Sequence, residues 1–116
     1  MNDMLTGSTV FPASDVDYED IEGYPAGHAA IAELVGTSRA RGLRVGLIRM
    51  HDVEIPRGER GEEALFVVSG EVVVEEDGRR TRAVAGDTIF LAEGAAPTYT
   101  WTEDTVIFYA LTPPSA

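Results

Sequence analysis

The chain has 116 residues, enough for one domain, and 44% hydrophobic with 25% charged residues is ordinary globular material. Its formal net charge of −11 repels phosphate backbones and anionic lipid surfaces, so neither nucleic acid nor a membrane is an expected partner. It holds no cysteine and no lysine, which excludes disulfides, thiolate metal sites, cysteine nucleophiles, Schiff-base chemistry and a Walker-type phosphate lysine.

No apolar stretch approaches the roughly 18 residues of a membrane helix, and no basic-then-apolar segment opens the chain. A cytoplasmic protein is the expectation. Residues 1–27 are punctuated by Pro12, Ser14, Gly23, Pro25 and Gly27 and show no sustained apolar period. No Lys or Arg precedes Arg39, while Asp15, Asp17, Glu19, Asp20 and Glu22 crowd together, as in a solvated segment. Val10 and Phe11 suit a short edge strand. His28 to Val35 is two-sided: its composition favours a helix, whereas the strand-like Leu43 to Met50 beyond a small polar loop favours a hairpin partner. We read it as a strand. Residues 1–42 are thus expected to pack on a barrel, or on a partner subunit, formed with residues 43–116.

From Leu43 onward, short apolar runs recur at a spacing of about ten residues, with turn residues between them. The predicted strands are Leu43–His51, Glu63–Ser69, Glu71–Glu76, Arg79–Val84, Thr88–Leu91, Thr98–Trp101 and Thr105–Leu111. Asp77-Gly78 between two alternating runs is a hairpin signal. Many short strands with regular turns indicate an all-β sandwich or barrel. The closing Pro113-Pro114-Ser115-Ala116 cannot extend a central strand.

Two stretches carry a family likeness. Glu63, six residues and Gly70 resemble the end of the first cupin motif. Gly86, five residues and Ala92-Glu93-Gly94 resemble the second, with Ala92 where proline is usual. The likeness spans about residues 43 to 111 and implies a cupin-like double-stranded β-helix, a jelly-roll barrel with an irregular N-terminal segment. The family's metal-binding histidines are missing: their places fall on Pro56 and Gly58, or on Arg57 and Glu59, and on Pro97. The chain holds two histidines, His28 and His51, so a three-histidine site cannot form in one subunit. A two-histidine-one-carboxylate site would need both to converge with Glu63. Among cupins the chain resembles the ethanolamine-utilisation cupin and its small single-domain relatives, which also lack the histidine set. Phosphoryl transfer to acetate is linked to that family, but a chain without lysine or a glycine-rich phosphate loop is not expected to share it.

Glu63 is the first candidate for chemistry. Facing a barrel interior without a metal, its carboxyl would be desolvated and suited to general acid/base work, or held by an arginine as a structural pair. Arg49 and His51 share parity with Val45 and Leu47. If that face is the cavity, His51 would complete an acid/base pair with Glu63 and Arg49 would bind a substrate carboxylate. If not, this end of the strand lies in water. Tyr99 and Trp101 alternate on one strand and offer an apolar wall with polar tips, or plain core. Tyr109 adds a phenol if its parity turns it inward. His28 sits in no motif and reads as a local hydrogen-bonding residue.

Three functions stay open. One is a metal-independent acid/base enzyme of isomerase, epimerase, cyclase or lyase type, with no cofactor, acting on a small molecule in the barrel. Another is a non-catalytic ligand-binding or sensor protein with the same cavity. The third is a metal-dependent cupin with atypical ligands. A homodimer is expected, because a small hollow barrel has little core and outward apolar residues such as Phe66 and Val68 need cover.

Overall fold

The computed structural model describes residues 4–58 and 61–114. Ten strands follow in order: β1 (Glu19–Asp20), β2 (Ala29–Val35), β3 (Arg44–Met50), β4 (Val53–Pro56), β5 (Glu63–Ser69), β6 (Glu71–Glu76), β7 (Arg79–Val84), β8 (Thr88–Leu91), β9 (Thr98–Trp101) and β10 (Thr105–Leu111). They form two antiparallel sheets, β1-β2-β3-β10-β5-β8 and β4-β9-β6-β7. From β3 onward the chain passes back and forth between the sheets, which is the jelly-roll winding. Among the described residues no helix is long and apolar enough to cross a membrane.

Helix propensity loses over residues 29–35. Pairing with β3 satisfies the backbone of β2 and places Ala29 opposite Met50 and Ile31 opposite Ile48. Val10 and Phe11 form no strand: Val10 is exposed, and Phe11 lies beneath the Arg39 guanidinium, 5.7 Å from ring centre to cation. The strand β4 is not among the expected ones, being only four residues long and set directly after β3.

Asp77 and Gly78 both have positive φ, 51° and 79°. This is the backbone that a two-residue primed turn requires, and it sets the β6–β7 register of Glu76 opposite Arg79. The core lies between the sheets. Leu65, Val67, Ile107, Tyr109 and Leu111 descend from one side and Val72, Ala83, Tyr99 and Trp101 from the other.

Candidate functional site

A cavity of about 380 Å³ runs between the two sheets, within the range of small-ligand pockets. Period-two alternation decides its lining. On β10 the inward set is Thr105, Ile107, Tyr109 and Leu111, and ladder partners place Met50, Ile48, Gly46 and Arg44 of β3 on the same face. Tyr99 and Trp101 of β9 face them from the other sheet, opposite Ile55 and Val53 of β4. Their rings lie 5.4 Å apart at 35°. Ile21 and Tyr24, from the segment between β1 and β2, also contribute to the wall.

Gly46 makes room for Tyr109. A Cβ at that position would sit 2.5 Å from the Tyr109 hydroxyl oxygen and 2.5 Å from the Ala32 carbonyl oxygen. The bare backbone of β3 therefore lets a phenol rest over the strand.

One end of the cavity is charged. Glu63 and Arg44 both stand level with Leu111, which pairs with each. Arg57, just beyond β4, is buried and has its donors engaged in three directions. Its Nε donates to Glu63 Oε1 at 3.2 Å, its Nη1 to the Ala95 carbonyl at 2.6 Å and its Nη2 to the Gly61 carbonyl at 2.8 Å. The cation neutralises the carboxylate and ties the β4–β5 and β8–β9 loops to the start of β5. Glu63 Oε2 makes no hydrogen bond within the described residues. Arg44 donates through Nε and Nη2 to Glu33 Oε1, at 2.8 and 2.6 Å. At the other end of the cavity, the buried Trp101 Nε1 has no hydrogen-bond partner among the described residues.

These positions sort the expected site residues. Glu63, Tyr99, Trp101 and Tyr109 line the cavity. Arg49 and His51 do not. Arg49 pairs with Val106 on the outer face of the six-stranded sheet, and the inward arginine of β3 is Arg44. His51 follows Met50 at the far end of β3, roughly 20 Å along the strand from the level of Glu63 at about 3.3 Å per residue. Its Nδ1 lies 3.1 Å from Asp104 Oδ1, an exposed ion-pair contact. A Glu63–His51 acid/base pair therefore does not form within one chain. Both histidines come together, but away from Glu63, so the two-histidine-one-carboxylate arrangement with Glu63 is also absent.

The family's interior metal does not fit this donor set. Pro56, Gly58 and Pro97 offer no side-chain donor atom. The guanidinium of Arg57, a fixed cation without a lone pair to give, stands against the single carboxylate that remains. Glu59, the other residue at those places, lies outside the described residues.

Arg57 and Arg44 line the cavity as well, and the sequence alone does not assign them to it. Arg57 carries a signal, since it occupies a position where the family places a ligand. Arg44, Ile21 and Tyr24 carry none.

The family model for ethanolamine utilisation protein EutQ matches residues 12–115. No curated protein sequence matches the chain. Among solved structures, the EutQ protein of Clostridium difficile is 19% identical with a TM-score of 0.83, covering 98% of this chain and 86% of that one. A putative ethanolamine utilization protein q from Salmonella typhimurium is 21% identical with a TM-score of 0.81, covering 91% and 86%. An RmlC-like cupin from Shewanella frigidimarina is 19% identical with a TM-score of 0.74, covering 92% of each chain.

Proposed function

The chain belongs to the EutQ family of ethanolamine utilisation proteins, within the cupins, and from that premise we propose that its barrel binds a small metabolite and moves a proton on it without a metal. Isomerase, epimerase, cyclase or lyase chemistry fits such a site, since each needs proton transfer and no redox centre. The observation that carries the reading is the half-engaged carboxylate of Glu63. One oxygen is held by Arg57, which fixes the group's orientation, and the other makes no hydrogen bond among the described residues. A positioned carboxylate with a free oxygen is what general acid/base catalysis requires. Tyr99, Trp101 and Tyr109 supply aromatic wall for an apolar part of the ligand. A polyketide cyclase from Streptomyces resistomycificus, 17% identical with a TM-score of 0.76 and covering 94% of this chain and 81% of that one, shares the fold. It supports the capacity of such a barrel for cyclisation and nothing narrower.

The test begins with a thermal-shift screen of metabolites on the purified chain. Glu63→Gln is then compared with the parent on the ligand retained. The amide keeps the volume and an acceptor oxygen for Arg57 but loses the carboxylate. We expect binding to persist and turnover to fall by roughly 10²–10⁴-fold, with the parent rate unchanged by a chelator. Equal turnover in the two proteins would sink the acid/base role. A ligand bound by both and converted by neither would favour the non-catalytic binding reading, which rests on the same cavity.

The same reading includes a homodimer built on the outside of the six-stranded sheet. Phe66 pairs with Phe108 there, and Phe90 with Ala64, and Val68 is also exposed. A chain of net charge −11 can approach its own copy most easily through such a largely apolar face, which carries no acidic side chain beside Phe66, Phe90 and Phe108.

A further inference from the structure

The two histidines of the chain meet at the end of the barrel remote from Glu63. β2 and β3 pair from Ala29 opposite Met50, and His28 and His51 extend that ladder by one step, with the His51 amide donating to the His28 carbonyl at 2.9 Å. The side chains are therefore neighbours on adjacent strands, held by main-chain bonds. Their ring centres lie 5.4 Å apart and the planes are inclined at 59°, so the rings do not stack.

Each ring has one nitrogen engaged, and in both it is Nδ1. His28 Nδ1 lies 3.1 Å from the Asp52 carbonyl oxygen. Asp52 adopts a left-handed φ of 45° in the turn between β3 and β4. His51 Nδ1 lies 3.1 Å from Asp104 Oδ1. A carbonyl and a carboxylate can only accept, so a proton on each Nδ1 suits both contacts and leaves the Nε2 lone pairs of the neutral rings for another partner. Neither Nε2 has a hydrogen-bond partner among the described residues. A metal-ligating histidine has this wiring, its second nitrogen tied to a backbone carbonyl or a carboxylate. Two imidazoles on one tetrahedral ion, with metal–nitrogen bonds of about 2 Å, have ring centres roughly 5 Å apart. A stacked or merely solvated pair requires neither the shared tautomer nor this spacing.

We propose that His28 and His51 bind one divalent cation of the zinc–copper class through their Nε2 atoms, with Asp52 and Asp104 orienting the rings and water completing the coordination. Imidazole suits those ions, whereas magnesium and calcium take oxygen ligands. No group of three His, Asp or Glu among the described residues is arranged to hold a metal. The site is accordingly an open, two-ligand one, with exchangeable positions for a small anion. His51 is nearly half exposed, so the ion has access from solvent. The bound ion staples β2 to the end of β3.

The test is titration of the full chain with Zn²⁺ by calorimetry, and with Cu²⁺ while the imidazole protons are followed by NMR. Only two histidines contribute Hε1 resonances, so the readout is direct. We expect one ion per chain with micromolar affinity, both imidazole signals broadening first, and a higher melting temperature with Zn²⁺. His28→Gln and His51→Gln should each remove the saturable binding while leaving the ion-free melting temperature unchanged. Asp104→Asn should weaken binding by about 10- to 100-fold. Glu63→Gln should bind as the parent does, which keeps this site separate from the cavity reading. The proposal is overturned if Zn²⁺ does not saturate, if only one imidazole responds to Cu²⁺, or if either histidine variant binds like the parent.

Discussion

On the outside of the four-stranded sheet, Glu54 faces Thr100, Glu75 pairs with Arg80 and Glu71 with Arg82. On the outside of the six-stranded sheet, Phe66 lies opposite Phe108, Leu47 flanks Phe108 on the other side, and Ala64 and Ala110 fill the next row. Both sheets turn apolar residues inward; the outer face of the four-stranded sheet is charged, while that of the six-stranded sheet is mostly apolar, with Arg49 beside Val106 at one end. In a solvated sheet the two faces of each strand differ in character, and alternation is legible. Around Phe66 and Phe108 of the six-stranded sheet the two faces are similar in character, as in a layer covered on both sides. Burial inside the barrel accounts for the inner faces alone, and the proposed dimer accounts for the apolar outer one.

Phe108→Glu, or Phe66→Glu, places a carboxylate where two apolar sheets meet in the proposed dimer, and it does so twice through the symmetry. Each should raise the dimer dissociation constant by at least about 100-fold, since an unpaired buried charge costs several kcal/mol. Light scattering at micromolar concentration should show a dimer for the parent and a monomer for the variant. A monomeric parent would remove the interface.

The same contrast explains what is legible in the sequence and what is not. The shared face of Tyr99 and Trp101 is legible because Thr98, Thr100 and Thr102 between and around them are polar, so parity speaks plainly. Asp77-Gly78 is equally plain, because its turn chemistry is local. On β3 parity is mute. Val45 and Leu47 sit on one face and Ile48 and Met50 on the other, and Gly46 conceals an inward position behind the absence of a side chain. Sequence parity alone therefore offers Arg49 to the cavity that Arg44 faces. Arg57 stands out in the sequence only as the residue at a vanished ligand position. Its three anchors on Glu63, Gly61 and Ala95 involve a loop 38 residues away that no local pattern announces. Ile21 and Tyr24 reach the cavity from a segment with no periodicity at all.

Arg44 and Arg49 lie on one strand with opposite parity, so one serves the cavity and the other the outer face. Arg44→Ala should weaken binding of the ligand found in the metabolite screen by about 10-fold, the scale of one charge-assisted hydrogen bond in a partly solvated site. Arg49→Ala should leave ligand affinity within about 2-fold, because its side chain has no access to the cavity. Fluorescence or calorimetric titration of both variants checks the pair. A stronger loss at Arg49 than at Arg44 would contradict this parity.

The smallest effect belongs to the charged face. Arg80 and Glu75 stand opposite each other on β7 and β6, and their ion pair spans 3.6 Å with side chains 65% and 50% exposed. Water solvates both groups before and after folding, and holding two long side chains in one geometry costs rotamer entropy that offsets the attraction. Arg80→Gln should change unfolding free energy by less than about 0.5 kcal/mol in a denaturant titration at physiological salt, with the midpoint moving and the slope constant. It should leave the oligomeric state untouched, because this sheet already has its solvent-facing layer. A loss of more than about 2 kcal/mol, or any shift from dimer to monomer, would mean that the four-stranded face is covered in solution. The assignment of interface and solvent to the two sheets would then have to be exchanged.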